Sequence, residues 1–200
     1  MRISPLPLLL LAAALAPSSV QAQIVEAYAT FSPARFSNVY TGTTSGPLGS
    51  TPQYTNFWAP GIGGGVTFGL IPVGPVRLGL DLRGSTKPGT TGADTAMAGL
   101  KLSFHPPLLR LKPYIQGSGG YVATRTANRT SYAGVPASGT FENQYAAYEV
   151  FGGLDVPVFP FIDLRVIEVG GGKGYSVNGY SVGSDQITLF TLNTGVVVHF

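Results

Sequence analysis

The chain has 200 residues, 44% hydrophobic and only 10% charged, with a formal net charge of +3, 28 Gly, 16 Pro and no Cys. One domain suits that length, and the Gly and Pro load works against long helices, because an interior Gly costs about 1 kcal/mol relative to Ala and a Pro about 3. Without Cys there is no disulfide scaffold, thiolate zinc site or lipid-modified N-terminal Cys; the net positive charge reflects few acids, nine Asp and Glu, and leaves no nucleic-acid footprint.

Residues 1–22 read as a cleavable export signal. Arg2 supplies the positive start, Leu6 to Ala16 the apolar run, and Val20-Gln21-Ala22 a small-x-small cleavage site before Gln23. The run is shorter than the roughly 20 apolar residues a spanning helix needs. No later segment has that run either, so a membrane reading requires a closed barrel, in which every backbone group is paired.

From Ile24 onward the chain alternates with period 2, the signature of strands with one apolar face. Ile24 to Pro33 is a weakly alternating first strand with Val25, Ala27, Ala29 and Phe31 on one face, and Phe36 to Asn56 is expected to be a long polar loop. Phe57 to Leu70 sets Trp58, Ile62, Val66, Phe68 and Leu70 against Gly61, Gly63, Gly65, Thr67 and Gly69, before a turn at Ile71 to Pro75. The next strand has the cleanest pattern, Val76, Leu78, Leu80 and Leu82 outward against Arg77, Gly79, Asp81 and Arg83 inward; Gly84 to Ala93 follows as a loop. A fourth strand sends Ala96, Ala98, Leu100, Leu102 and Phe104 outward, and His105 to Leu111 turns. Lys112 to Thr124 is the fifth strand and Arg125 to Asn143 a second long polar loop. The sixth, Gln144 to Val156, alternates Tyr148, Val150 and Leu154 with Glu149, Phe151 and Asp155, and Pro157 to Pro160 turns. The seventh starts at Phe161, with Asp163 and Arg165 inward, and Gly170 to Ser184 is a Gly-rich loop.

The last stretch, Ile187 to Phe200, alternates Phe190, Leu192, Thr194, Val196, Val198 and Phe200 with Thr191, Asn193, Gly195, Val197 and His199. Alternating and closing on an aromatic terminal residue, it resembles the last strand of bacterial outer-membrane β-barrel proteins. With eight strands and connections alternating long and short, the mature chain resembles the small eight-stranded members of that family. The resemblance implies an all-β, eight-stranded antiparallel up-and-down transmembrane β-barrel over residues 23–200. Short turns would face the periplasm and long loops the exterior. It also implies outer-membrane lipid and lipopolysaccharide as surroundings, the barrel-assembly machinery as a partner reading Phe200, and a monomer as the default state.

An eight-stranded barrel has an interior just wide enough for side chains to fill. The inward register gathers Glu26, Arg77, Asp81, Arg83, Lys101, Glu149, Asp155, Asp163, Arg165 and Glu168, which should pair rather than stand as isolated charges. Glu26, Arg77, Lys101, Asp155, Asp163 and Arg165 lie near the short-turn ends and should form the densest cluster. Strict alternation would place Glu168 against lipid, so a β-bulge near Ile167 is expected to turn it inward. The inward glycines of the second strand should leave room for large residues such as Phe151 or Tyr114.

No catalytic, cofactor-binding or metal-ligating residue is assigned. Gly61-Ile62-Gly63-Gly64-Gly65 lacks the spacing and the helix of a dinucleotide loop, and Gly171-Gly172-Lys173-Gly174 lacks the Ser or Thr of a phosphate loop. His105 and His199 have no acid at a useful spacing. Small barrel enzymes that act on the acyl chains of lipopolysaccharide place a His and a Ser near the outer surface, whereas both His here fall at the short-turn end. Tyr40, Tyr54, Tyr132, Tyr175 and Tyr180, with Arg125, Arg129, Lys87 and Lys173, fit headgroup belts and solvated loops better than an adhesive face. A structural or surface-interaction role is expected, with a narrow gated ion channel second and a soluble lipocalin-like carrier third.

Overall fold

The computed structural model describes residues 25–46, 49–105, 111–127, 131–132, 135–136, 139–177 and 186–200, so the export signal lies outside them. The strands are β1 (Val25–Phe31), β2 (Ala34–Gly46), β3 (Gly49–Ala59), β4 (Ile62–Val73), β5 (Val76–Lys87), β6 (Gly92–Phe104), β7 (Lys112–Ala127), the two-residue β8 (Ser131–Tyr132) and β9 (Val135–Pro136), β10 (Thr140–Phe159), β11 (Ile162–Ser176) and β12 (Gln186–His199). Antiparallel neighbours run β1-β4-β5-β6-β7-β10-β11-β12, and β12 pairs back onto β1 from Glu26↔His199 to Phe31↔Thr194, so eight strands close a ring.

Alternation decides the faces. Leu100 is 53% exposed while Lys101, next in the chain, is 3% exposed. Leu80, Leu82, Leu102, Ile115, Val150, Leu164 and Val196 also point outward, and Asp81, Gln116, Glu149, Arg165 and Asn193 point into the barrel. An apolar wall around a charged interior is the reverse of a water-soluble barrel, and hydrocarbon is the solvent it matches.

The long polar loop expected over Phe36 to Asn56 is instead the β2–β3 hairpin. It continues the first two barrel strands past a break at Ser32-Pro33 and Pro60-Gly61, where the Ser32 amide donates to the Gly61 carbonyl at 2.8 Å. Proline has no N–H for the ladder, and one sits in each break. β2 rejoins β12 at Ala34↔Thr191, but β3 pairs with β2 alone among the described residues. Strands β5, β6, β7, β10 and β11 likewise run further on the long-loop side than the alternation indicated. The cause is solvent. Beyond the apolar wall an outward residue meets water, the apolar half of the pattern lapses, and the hydrogen-bonded ladder continues without it. Asn128 to Thr130 and Asn178 to Asp185 lie outside the described residues.

Candidate functional site: the barrel interior and its outer belt

Every ring strand contributes to one polar network in the lumen. Asp81 on β5 accepts from Tyr28 of β1 (3.0 Å), Thr67 of β4 (2.7 Å), Gln116 of β7 (2.7 Å) and the Arg83 Nε (3.0 Å). Arg83 reaches across to Glu168 of β11 with both terminal nitrogens, Nη1 to Oε1 at 3.0 Å and Nη2 to Oε2 at 3.1 Å. Glu168 also accepts from Tyr114 (2.7 Å) and from Asn193 of β12 (2.6 Å). Arg165 donates to Asp155 of β10 at 3.0 Å, and Lys101 of β6 lies 3.0 Å from Glu26 and 3.6 Å from Asp155. At the short-turn end Asp163 meets Lys112 at 2.6 Å and His199 at 2.8 Å, with the other His199 nitrogen 3.5 Å from Glu26.

Aromatic rings line the cations. The Arg83 guanidinium lies 4.0 Å from the Phe151 ring centroid, and that of Arg165 lies 4.4 Å from Tyr28 and 4.9 Å from Tyr114. Planar guanidinium on a ring face with a bidentate carboxylate at its edge is the geometry in which Arg tolerates loss of water. Buried charges matched this densely tie the walls of the barrel to one another.

The bulge lies where alternation demanded it. Leu154 pairs with Ile167 and the next residue, Asp155, with Arg165, so Val166 is the extra residue. Val166 and Ile167 both face out, at 46% and 49% exposure, and Glu168 turns in at 1%. This shifts the densest node of the network. It is Glu168 at mid-barrel, joined to Arg83 and Arg165, rather than the set at the short-turn end. That set is joined in part: Glu26, Lys101, Asp155 and Arg165 form a chain, and Asp163, which also holds Lys112, attaches to it through His199. Arg77 has no carboxylate within ion-pair distance among the described residues.

Two acids flank His199 in space, although none lies near it in sequence; β1 and β11 bring them there as the strands on either side of β12. The described residues hold no group of three or more His, Cys, Asp or Glu arranged for a metal. The second-strand glycines make room differently from expectation. Gly65 is opposite Tyr28, while Tyr114 stands opposite Gly153 and Phe151 opposite Gly170. Each inward ring thus lies over the glycine that pairs with it across the ladder.

Above the network the lumen turns apolar. Phe36, Val39, Met97, Val122, Ile187 and Leu189 pack together, with Phe57 stacked on Phe36 at 5.3 Å, so the β2–β3 hairpin contributes to a seal on the long-loop side. Between seal and network lies a cavity of about 30 Å³ bounded by Arg83, Lys87, Glu149, Phe151 and Met97, large enough for about two water molecules. Lys87, expected in a loop, is 1% exposed and faces this cavity, its amine hydrogen-bonded to Ser85. Lying beyond the apolar wall, it is held to a pKa of about 8 by burial, against the opposing pull of Glu149 and Asp94.

No protein-family model and no curated protein matches the chain. Among solved structures it is similar to Neisserial surface protein A (16% identity over 88% of this chain and 96% of that one, TM-score 0.44). It is also similar to the N-terminal β-barrel domain of Pseudomonas aeruginosa OprF (14%, 90% and 100%, 0.46) and to the outer membrane protease OmpT from Escherichia coli (10%, 93% and 99%, 0.43). The strand register itself carries the assignment: this is an all-β, eight-stranded, antiparallel up-and-down transmembrane β-barrel, similar in fold to small outer-membrane β-barrel proteins.

Proposed function

We propose that the chain is a bacterial outer-membrane barrel with a structural or surface-presenting role, exported by its N-terminal signal, non-conducting and without catalysis. The observation that carries this reading is the lumen: a network of ion pairs and hydrogen bonds drawn from all eight ring strands below, an apolar seal above, and an outer wall suited to lipid. The interior acids are engaged by permanent cations or hydroxyl donors, which leaves them to structure rather than to proton transfer. A lipocalin-like carrier needs a hollow lumen and a polar exterior, the opposite arrangement. The cavity beside Lys87 and Glu149 favours the second reading, a narrow gated ion path, which would require Arg83 to leave Glu168 and the seal around Phe36 to part.

Reconstitution tests both readings. The folded protein in lipid should migrate differently on gels with and without heating and give no conductance steps in planar bilayers. Steps in the wild type that vanish on locking the lumen would replace the first reading with the second. Phe200 is exposed at the end of the terminal strand, and its amide donates to the Val25 carbonyl at 2.9 Å. As the feature read by the barrel-assembly machinery, it should be dispensable in refolding and needed in cells. Deleting Phe200 is expected to lower the amount assembled in the outer membrane several-fold while leaving refolding into detergent unchanged.

A further inference from the structure

The lumen absorbs most of the charge of the described residues, but two cations without an acid partner stay on the outer wall. Arg35 on β2 lies between the buried Ala34 and Phe36 and faces out, and Lys173 on β11 lies beside the buried Gly174 and does the same. Neither has a carboxylate within ion-pair distance among the described residues, whereas Arg125, outward on β7, meets Asp94 at 3.2 Å.

The register brings the two into one patch. Arg35 pairs with Phe190 of β12 and Lys173 with Thr188, two residues away on the same strand. Two strand spacings and two residues put their backbone positions about 12 Å apart, within reach of a single headgroup for two long side chains. Around them is an amphipathic rim: Trp58 opposite Arg35, edge-on to Phe190 at 6.0 Å; Tyr148 opposite Lys173; and the hydroxyls of Ser37 and Thr188 between. Below the rim the wall is hydrocarbon-facing, with Val150, Val169 and Leu192, and the outward Gly152 and Gly171 leave open space over their backbone.

A cation on the lipid face is costly at the bilayer midplane and nearly free at the interface. Trp and Tyr settle at that same depth, where an Arg can take a phosphate with two parallel hydrogen bonds. We propose that Arg35 and Lys173, flanked by Trp58 and Tyr148, form an external site for the headgroup phosphate of an anionic lipid in the leaflet on the long-loop side. The proposal rests on the membrane-barrel reading above. The acyl chains run down over Gly171 and Gly152, and the phosphate bridges the two cations.

Trp58 is the chain's single tryptophan and stands inside the site, so it reports occupancy. Wild-type protein is inserted into phosphatidylcholine vesicles containing a minor share of phosphatidic acid, with bromine on the acyl chains of one lipid or the other. At about fivefold per cation, Trp58 quenching should report phosphatidic acid at about tenfold or more above its bulk fraction. The R35Q and K173Q variants should each lose about fivefold, R35K should retain most of the enrichment, and R35Q/K173Q should fall to the bulk fraction. A wild type quenched in proportion to bulk composition, or enrichment unchanged in the double variant, overturns the proposal. So does loss of enrichment on adding inorganic phosphate at constant ionic strength, which would make soluble phosphate the ligand. Heat-shifted gel mobility of the same samples separates the outcomes. A wild type that does not insert refutes the membrane reading, whereas one that inserts without lipid preference refutes the site alone.

Discussion

Glu168 is the residue on which the lumen depends most. It receives four side-chain hydrogen bonds, two from Arg83 and one each from Tyr114 and Asn193, and Arg165 lies 3.5 Å away. Removing one partner of a buried pair leaves the other charge uncompensated, a loss of about 3–5 kcal/mol. Glu168→Ala is therefore expected to lower the free energy of unfolding in lipid vesicles by that amount, measured by urea titration; a loss below about 1 kcal/mol would mean water replaces the carboxylate. Lys87 has the opposite sign. Its amine is held at about 8 by burial, below the usual lysine range. Below pH 8 folded and unfolded states both carry the proton and the burial penalty stands in full. Between about pH 8 and 10.5 the folded state releases it first, so stability rises with pH across that window. Lys87→Met should stabilise below pH 8, by on the order of 1.4 kcal/mol for each unit of that shift, and its advantage should disappear by about pH 10.5.

At the scale of the strand, aromatic and glycine are paired across the ladder. A Cβ on Gly153 would come within 2.3 Å of the Tyr114 ring, while one on Gly152, its neighbour facing out, would meet nothing within 4 Å. Overpacking of this kind costs about 1–3 kcal/mol. Gly153→Ala should destabilise the barrel by that much and Gly152→Ala by almost nothing, a contrast that chemical denaturation of the two variants resolves. The bulge in β11 is the other strand-level device. One extra outward residue at Val166 lets Arg165 and Glu168 both face the lumen from positions three apart, which strict alternation forbids.

The whole molecule divides into a closed ring and a hairpin leaning over its mouth. The ring closes through β1–β4 and β1–β12 without help from β2 or β3. Excising Ala34 to Ala59 and joining Pro33 to Pro60 through Asn-Gly should leave a heat-modifiable barrel, because the chain ends are already bonded through Ser32 and Gly61. The same excision removes Phe36 and Phe57 from the seal. The shortened protein is expected to stay silent in planar bilayers, because Arg83 still holds Glu168 across the lumen; conductance events would place the permeability barrier in the seal.

Much of this was legible in the residues themselves. Leu78, Leu80 and Leu82 against Arg77, Asp81 and Arg83 give a strand and its faces without any partner strand, because period 2 is a local property of the backbone. Glu168 declared its bulge because a misplaced carboxylate is a local contradiction. Three things required the closed barrel. The β2–β3 hairpin was hidden because residues outside the apolar wall need not alternate to pair. Lys87 looked like a loop cation because β5 was expected to end before it, whereas the ladder with β6 runs on and keeps it in the inward register. The meeting of His199 with Asp163 and Glu26, and the placing of Arg35 and Lys173 on either side of β12, depend on which strands become neighbours. That is decided by ring closure and register, over separations in sequence that no local pattern spans.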